Sequence, residues 1–201
     1  MTDATQQTQT GQAPGQTPEP TNLPDHPAMA RIKATFAGRG LKVGAYRGMT
    51  TVIAPKDLLH DLLKFLRDDG ECRYDFLSDV FGLDYLGYPK AEHRFGVVYN
   101  LVSTTSHNRL FVKVLLDPSV DTSGIEADPA LHLPSACDLW PGAEWMEREV
   151  FDMFGIRFDD HPDLRRILTW EEFPAHPLRK DYPLRGRGER DDYLVINRES
   201  A

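Results

Sequence analysis

The clearest pattern of apolar positions along the chain predicts an amphipathic helix over residues 55–70. Leucines and a phenylalanine recur there at helical spacing on one face, after a proline that favours a helix start and before a glycine that favours its end. A weaker helical pattern covers residues 26–39. Between these two helices, residues 41–48 and 50–54 are predicted to form short strands.

Three extended segments follow the second helix, at residues 73–85, 94–103 and 109–117. In the first of them the spaced apolar residues are Leu77, Phe81, Leu83 and Tyr85. The last two segments are separated only by the residues TTSHN, so an antiparallel hairpin is the shortest connection. The order helix, two strands, helix, three strands predicts an α+β fold: a two-layer α/β sandwich with a mixed sheet and helices on one face.

A last helix is predicted over residues 142–154, with Gly155 as a left-handed cap at its end. Its apolar residues span an arc of about 160° around the helix axis. Glu147 falls inside this arc, where an unpaired carboxylate would cost several kcal/mol. We therefore expect an arginine or several N–H groups to satisfy it.

The opposite face of the same helix carries charged residues. Glu144, Arg148 and Asp152 follow one another at four-residue spacing, which predicts an outward-facing ladder of ion pairs. With Glu147 among aromatic residues, a buried or interfacial network is favoured over an ordinary solvated helix. Trp145 lies among these charges, and a tryptophan on a polar helix face is more typical of an interface than of a solvated surface.

The two ends of the chain differ from this central part. Residues 1–25 are rich in Gln, Thr, Pro and Gly, which predicts a disordered N-terminal tail. Residues 26–158 form the predicted α+β domain, including the helix at 142–154. Residues 159–201 combine several prolines with too many aromatic and aliphatic side chains for a solvated linker, so we expect an extended C-terminal tail that docks on partner proteins.

Composition excludes several classes of protein. The 201 residues carry a formal net charge of −8, which argues against a nucleic-acid partner. No apolar run is long enough for a membrane span, and no signal peptide is recognised, so the cytoplasm is the expected location. The two cysteines, Cys72 and Cys137, are too few for a disulfide framework, a CxxC zinc site or a cysteine-ligated iron–sulfur cluster within this chain.

Catalytic and metal-binding arrangements are weakly indicated. Glu147 and Glu149 point about 200° apart around the helix and cannot act jointly. The acids beside His161, among them Asp159 and Asp163, lack the spacing of a calcium loop, and no HExxH motif occurs. A free-standing metal-dependent hydrolase using Asp159, His161 and Glu149 is retained as a remote alternative hypothesis.

The stretch EREVFDMFGIRFDDHPDLRRIL resembles the signature of the C subunit, or 30 kDa subunit family, of respiratory complex I, the proton-pumping NADH:quinone oxidoreductase. WPGAEW at 140–145 and HPLRKDYPL at 176–184 resemble the family as well, and the resemblance covers about residues 28–185. The residues that carry the signature or an interface by this resemblance are Trp145, Glu147, Arg148, Glu149, Asp152, Met153, Phe154, Gly155, His161, Pro162, Arg165, Arg166, His176, Arg179, Lys180, Asp181 and Tyr182.

The resemblance implies a non-redox structural and assembly subunit of the peripheral arm. In the parent complex electrons pass from NADH through FMN and iron–sulfur clusters to quinone, and protons are pumped; this chain is expected to bind none of these cofactors and to supply no catalytic residue. Its implied partners are the D subunit and other peripheral-arm subunits. The D subunit helps to form the quinone pocket and is here called the quinone-pocket subunit. The resemblance places this hetero-oligomer at the cytoplasmic face of the cell membrane, which the chain touches only through the complex. An equivalent subunit of a membrane-bound hydrogenase or a deazaflavin-dependent dehydrogenase is the alternative.

Overall fold

The computed structural model describes residues 26–120 and 127–189 of the chain. The predicted N-terminal tail, residues 1–25, and the last part of the predicted C-terminal tail, residues 190–201, lie outside the described residues. The elements are, in chain order, α1 (Pro27–Thr35), β1 (Lys42–Tyr46), β2 (Met49–Ala54), a 3-10 turn (Lys56–Leu58), α2 (Leu59–Asp68), β3 (Phe76–Asp84), β4 (Phe95–Val102), β5 (Arg109–Leu116), a second 3-10 turn (Pro129–Leu131), β6 (His132–Pro134), α3 (Ala143–Phe154) and β7 (Arg157–Asp159).

Five strands form the main sheet in the order β1-β2-β5-β4-β3. Neighbouring strands are antiparallel except β2 and β5, which run parallel, so the sheet is mixed. The predicted hairpin of residues 94–103 and 109–117 is present as the antiparallel pair β4–β5. The predicted α+β fold with a mixed sheet is therefore confirmed.

The two faces of this sheet differ in burial, because side chains alternate along each strand. The inner face carries fully or almost fully buried residues, including Val52, Ala54, Val97, Tyr99, Val112 and Val114. The outer face carries mostly partly exposed residues, including Tyr46, Met49, Phe76, Phe81, Phe111 and Leu115. Helices α1, α2 and α3 share one hydrophobic core with the inner face.

Strand β3 differs from the predicted alternation. Its pairing with β4 shifts between Leu77 and Asp79, as in a β-bulge, so one extra residue moves the following side chains to the opposite face. Val80 therefore joins Leu77 on the inner face, whereas Phe81 and Leu83 lie on the outer face. The regular spacing of Leu77, Phe81 and Leu83 in the sequence carries no indication of this shift.

Helix α3 lies against the inner face at Gly82. A Cβ atom at this position would overlap the ring of Phe154, the last residue of the helix, so only glycine permits this approach. The contact fixes the end of α3 over β3. Among the described residues, no helix has the length and the apolar character needed to cross a membrane.

The boundary predicted between residues 158 and 159 is wrong, because β7 spans it and pairs in parallel with β6. Residues 160–189, here called the C-terminal segment, contain no helix or strand, yet they pack on the domain itself. Phe173, Ala175, His176 and Arg179 are buried within this chain. This part of the predicted tail thus belongs to the folded domain, and its docking on partners stays a prediction.

Candidate functional site

Helix α3 ends at the predicted residue, Phe154, and carries the predicted cap there. Glu144 lies in its first turn, where the partial positive charge of the helix favours a carboxylate. Gly155 adopts a left-handed conformation with φ of 73°, and its N–H donates to the carbonyl of Phe151 at 2.8 Å. The helix starts one residue later than predicted, since Gly142 is its N-cap.

Glu147 points into the core, as predicted, and is fully buried. Its carboxylate accepts hydrogen bonds from the Ser135 hydroxyl at 2.7 Å, the Ala136 N–H at 2.7 Å and the Cys137 thiol at 3.6 Å. The expected arginine is thus replaced by a hydroxyl, a thiol and one N–H group. Burial outweighs these bonds and raises the pKa of Glu147 to about 7, above its ordinary value of 4.5.

The outward-facing position predicted for Asp152 is wrong, because its side chain is fully buried under the C-terminal segment. Arg166 Nη1 donates to Asp152 Oδ1 at 2.8 Å. The N–H groups of Ile167, Leu168 and Thr169 donate to Oδ2 at 3.0, 2.7 and 2.8 Å. Burial alone would raise the pKa of Asp152, but the donors of Thr169, Arg166 and Leu168 lower it below its ordinary value.

The outward-facing position predicted for Arg148 is also wrong, since this residue is buried. Its guanidinium donates to the carbonyls of Arg165 at 3.2 Å and Arg166 at 3.3 Å, and it stacks 5.0 Å from the ring centre of Trp145. Trp145 itself is 60% exposed, and its place in an interface stays a prediction. The predicted ladder of Glu144, Arg148 and Asp152 does not form.

His176 and Arg179 satisfy the free carbonyls at the end of α3. His176 Nδ1 donates to the carbonyl of Asp152 at 2.9 Å, and Arg179 Nε donates to the carbonyl of Phe154 at 2.6 Å. Burial, with the nearby Arg179 and Arg166 charges, lowers the pKa of His176 to about 4. Burial also lowers the pKa of Arg179.

The following residues anchor the C-terminal segment to the sheet. The Lys180 N–H donates to Asp84 Oδ2 at 2.8 Å, and Asp181 pairs with Arg94, the residue before β4. The Tyr182 hydroxyl donates to Glu189 Oε1 at 2.7 Å. Residues of the HPLRKDYPL stretch thus bind the chain's own α3, β3 and β4.

The remaining signature residues divide between core and surface. Met153 and Phe154 are buried, whereas Glu149, Pro162 and Arg165 are exposed. His161 Nε2 donates to the carbonyl of Glu144 at 3.1 Å, and its Nδ1 accepts the N–H of Asp163 at 3.0 Å.

The acids near His161 do not form the metal site considered from the sequence. Asp159 binds His132 Nδ1 at 2.8 Å, and Glu149 and Asp159 are not grouped with His161. Within the described ranges, one group of potential ligands, Cys137, Glu147 and His161, lies within 4.8 Å.

The sequence does not predict that Cys137 lies near Glu147 and His161, because Cys137 belongs to the loop before α3 and no helical or strand spacing relates it to them. Each of the three side chains already has a hydrogen-bond partner in the chain. Burial also raises the pKa of the Cys137 thiol to about 12, which disfavours the thiolate that metals bind. We interpret the group as structural.

A groove of about 410 Å³ opens in the C-terminal segment. Its walls include Leu168, Trp170, Phe173, Tyr182 and Leu184. Leu168 and Leu184 are exposed large apolar residues. Solvent-exposed apolar side chains that cluster in this way are typical of surfaces that other proteins cover.

Comparisons with known proteins agree with the resemblance seen in the sequence. The model of the family described as respiratory-chain NADH dehydrogenase, 30 Kd subunit, matches residues 52–188. The NADH-quinone oxidoreductase C subunit of Citrifermentans bemidjiense is 45% identical over 83% of this chain and 93% of its own length. The corresponding C subunit of Roseiflexus sp. strain RS-1 is 44% identical over 78% of this chain and 82% of its own length.

A solved structure is also similar. The trypsin-resistant fragment 1–134 of Nqo5 superposes with a TM-score of 0.56 at 33% sequence identity, covering 68% of this chain and 98% of that chain. The family match includes the last residues of β2, all of α2 and α3, and nearly all of the C-terminal segment. This chain therefore belongs to the family of the 30 kDa subunit of the respiratory-chain NADH dehydrogenase.

Proposed function

We propose that this chain is a structural and assembly subunit of the peripheral arm of an NADH:quinone oxidoreductase, at the cytoplasmic face of the membrane. Its curated relatives are named as C subunits of NADH-quinone oxidoreductase, which favours this complex over the hydrogenase and deazaflavin alternatives. The complex performs the redox reaction, and this chain contributes no catalytic residue. FMN, iron–sulfur clusters and quinone are assigned to other subunits.

The main support for this proposal is that some signature residues are buried within the chain whereas others are exposed at its surface. Asp152 and Arg148 hold the C-terminal segment on α3, so they complete the fold of the chain itself. Trp145, Glu149 and Leu168 are exposed beside this buried network, and we call these three residues the signature patch. An exposed tryptophan and leucine next to a carboxylate suit a protein interface, because aromatic anchors dominate such surfaces.

The chemistry of the cysteines supports a non-redox role. Cys72 is buried and Cys137 is half-buried, and burial raises the pKa of each thiol to about 12. Two protonated thiols far apart in the sequence differ from the thiolate sets that hold iron–sulfur clusters.

We assign the quinone-pocket subunit of the complex to the signature patch, with the groove of the C-terminal segment available to further peripheral-arm subunits. This assignment of the partner rests on the family resemblance. The groove lies on the same segment that Asp152 and Arg166 fix to α3, so a partner would meet a preformed surface.

Replacing the gene by variants in the organism that encodes it tests this proposal. Trp145→Ala combined with Glu149→Ala should lower the thermal midpoint of the purified chain only slightly, through the lost stacking of Trp145 on Arg148. It should lower the amount of assembled complex about tenfold, since two interface side chains are lost. Leu86→Ala, which removes an exposed apolar side chain outside the signature patch, is the control and should assemble normally. Normal assembly of the double variant, or full NADH:quinone reductase activity in a strain lacking the gene, would contradict the proposal.

A further inference from the structure

The outer face of the main sheet is unusual for a sheet whose helices all lie on the other side. In a sheet with one covered face, apolar residues normally point to the core and polar residues point to the uncovered face. Here the outer positions of β1, β2 and β3 present Tyr46, Met49 and Phe76, which are 58%, 44% and 53% exposed. Phe111 and Leu115 on β5 are partly exposed between them.

The same face is positively charged. Lys42 lies opposite Ile53 on β2, and Lys113 flanks Ile53 from the other side on β5. Arg109 is exposed at the start of β5, and Asp79 is the acidic residue that shares the face. In a chain with a formal net charge of −8, three basic residues among aromatic side chains mark this face as distinct from the rest of the surface.

The described part of the chain leaves this face uncovered, because α1, α2 and α3 share the core with the inner face. A second copy of the chain fits poorly. Two outer faces packed against each other would bury Lys42, Arg109 and Lys113 of both copies in one interface, where Asp79 of each copy is the acidic residue. Carboxylates on a different protein would instead pair with these cations.

We propose that the outer face is a second docking surface, covered in the complex by a neighbouring protein subunit that presents apolar side chains flanked by Asp or Glu. This inference rests on the proposed function, since it places the chain in an assembly. The signature patch and the outer face then bind two different regions of that assembly. The apolar core of the contact supplies the affinity, and Lys42, Arg109 and Lys113 set the orientation.

Charge reversal tests the electrostatic part in the intact complex. Lys42→Glu combined with Arg109→Glu should lower the amount of chain recovered in the complex about tenfold, because acidic residues of the partner would then be repelled. Lys33→Glu combined with Lys64→Glu changes the net charge equally at exposed helical positions and should assemble to within about twofold of the original chain. Equal recovery of the two double variants would overturn the charge complementarity.

Photo-cross-linking identifies the occupant. p-Benzoylphenylalanine replaces Met49 in one full-length variant and Phe76 in another, both at exposed positions, and the purified complex is irradiated. We expect a covalent product with another subunit, through a peptide that contains Asp or Glu. A product with a second copy, with the chain's own residues 1–25 or 190–201, with a peptide lacking acids, or no product at all would overturn the inference.

The two proposals fail in different ways. If the tagged chain is recovered without other subunits before irradiation, the proposed function is wrong. If it is recovered with the complex but forms none of the expected products, the inference about the outer face alone is wrong.

Discussion

Arg166 Nη1 lies 2.8 Å from Asp152 Oδ1, and this buried ion pair fastens the C-terminal segment to α3. The same guanidinium donates to the carbonyls of Phe173 at 2.8 Å and Ala175 at 3.1 Å. One arginine therefore joins the helix to two parts of the segment that follows it. The surface on which partners are proposed to dock depends on this junction.

Asp152→Ala should lower the free energy of unfolding by about 3–5 kcal/mol, because it leaves the buried Arg166 and three N–H groups without their acceptor. Urea denaturation of the full chain measures this loss. Asp68→Ala removes the acid of an exposed pair with Arg67 and should cost less than about 1 kcal/mol. Similar losses in both variants would contradict the structural role of Asp152.

Gly155→Ala should destabilise the chain for two reasons. Alanine is strained at a φ of 73°, and its Cβ would lie 2.5 Å from His176 Nε2 and 2.6 Å from Arg179 Nη2. We expect a loss of more than about 2 kcal/mol in the free energy of unfolding. Gly142→Ala is the matched control at the other end of α3, since a Cβ there meets nothing within 4 Å. Equal losses of thermal stability in Gly155→Ala and Gly142→Ala would disprove the close contact at Gly155.

Glu147→Gln should change how stability depends on pH. The folded-state pKa of Glu147 is about 7 and its ordinary value is 4.5, so between these pH values the folded chain holds a proton that the unfolded chain releases. The stability of the original chain therefore falls as pH rises through this window, by about 3 kcal/mol. Glutamine does not titrate, so the variant should gain stability relative to the original chain from pH 4.5 to pH 7. Parallel pH profiles of unfolding would exclude this effect.

His176→Gln should change the pH dependence of stability in the opposite direction to Glu147→Gln. Burial lowers the folded-state pKa of His176 to about 4, below its ordinary value of 6.5, so the unfolded chain takes up a proton first as pH falls. The original chain should lose about 3 kcal/mol between pH 6.5 and pH 4 through this residue, and the variant should not. Because the windows of His176 and Glu147 overlap with opposite signs, chemical denaturation of each single variant at several pH values is the decisive comparison.

Local patterns predict the parts of the fold that depend on local sequence. The buried leucines of α2, the β4–β5 hairpin and the left-handed Gly155 each follow from spacing or from a residue's own backbone preference. The inward position of Glu147 follows from helical periodicity in the same way.

Features that depend on segments far apart in the sequence cannot be predicted from such local patterns. Asp152 and Arg148 lie on the polar side of α3, and only the return of residues 165–169 over that side buries them. Helical periodicity carries no information about such a return. The one sequence feature that could have indicated a buried Asp152 is its place in the family signature. A solvated acid without partners would have no structural reason to be part of a signature. The bulge in β3 is hidden for a similar reason, since one extra residue leaves each half of the strand looking regular.

The most direct test of the central claim is purification of the tagged full-length chain from gently solubilised membranes of its own organism. The purified material should contain the quinone-pocket subunit and the other peripheral-arm subunits in equal amounts and should reduce quinone with NADH. The chain expressed alone should show no such activity. Recovery of the chain without these subunits, or NADH oxidation by the isolated chain, would contradict its assignment as a structural subunit.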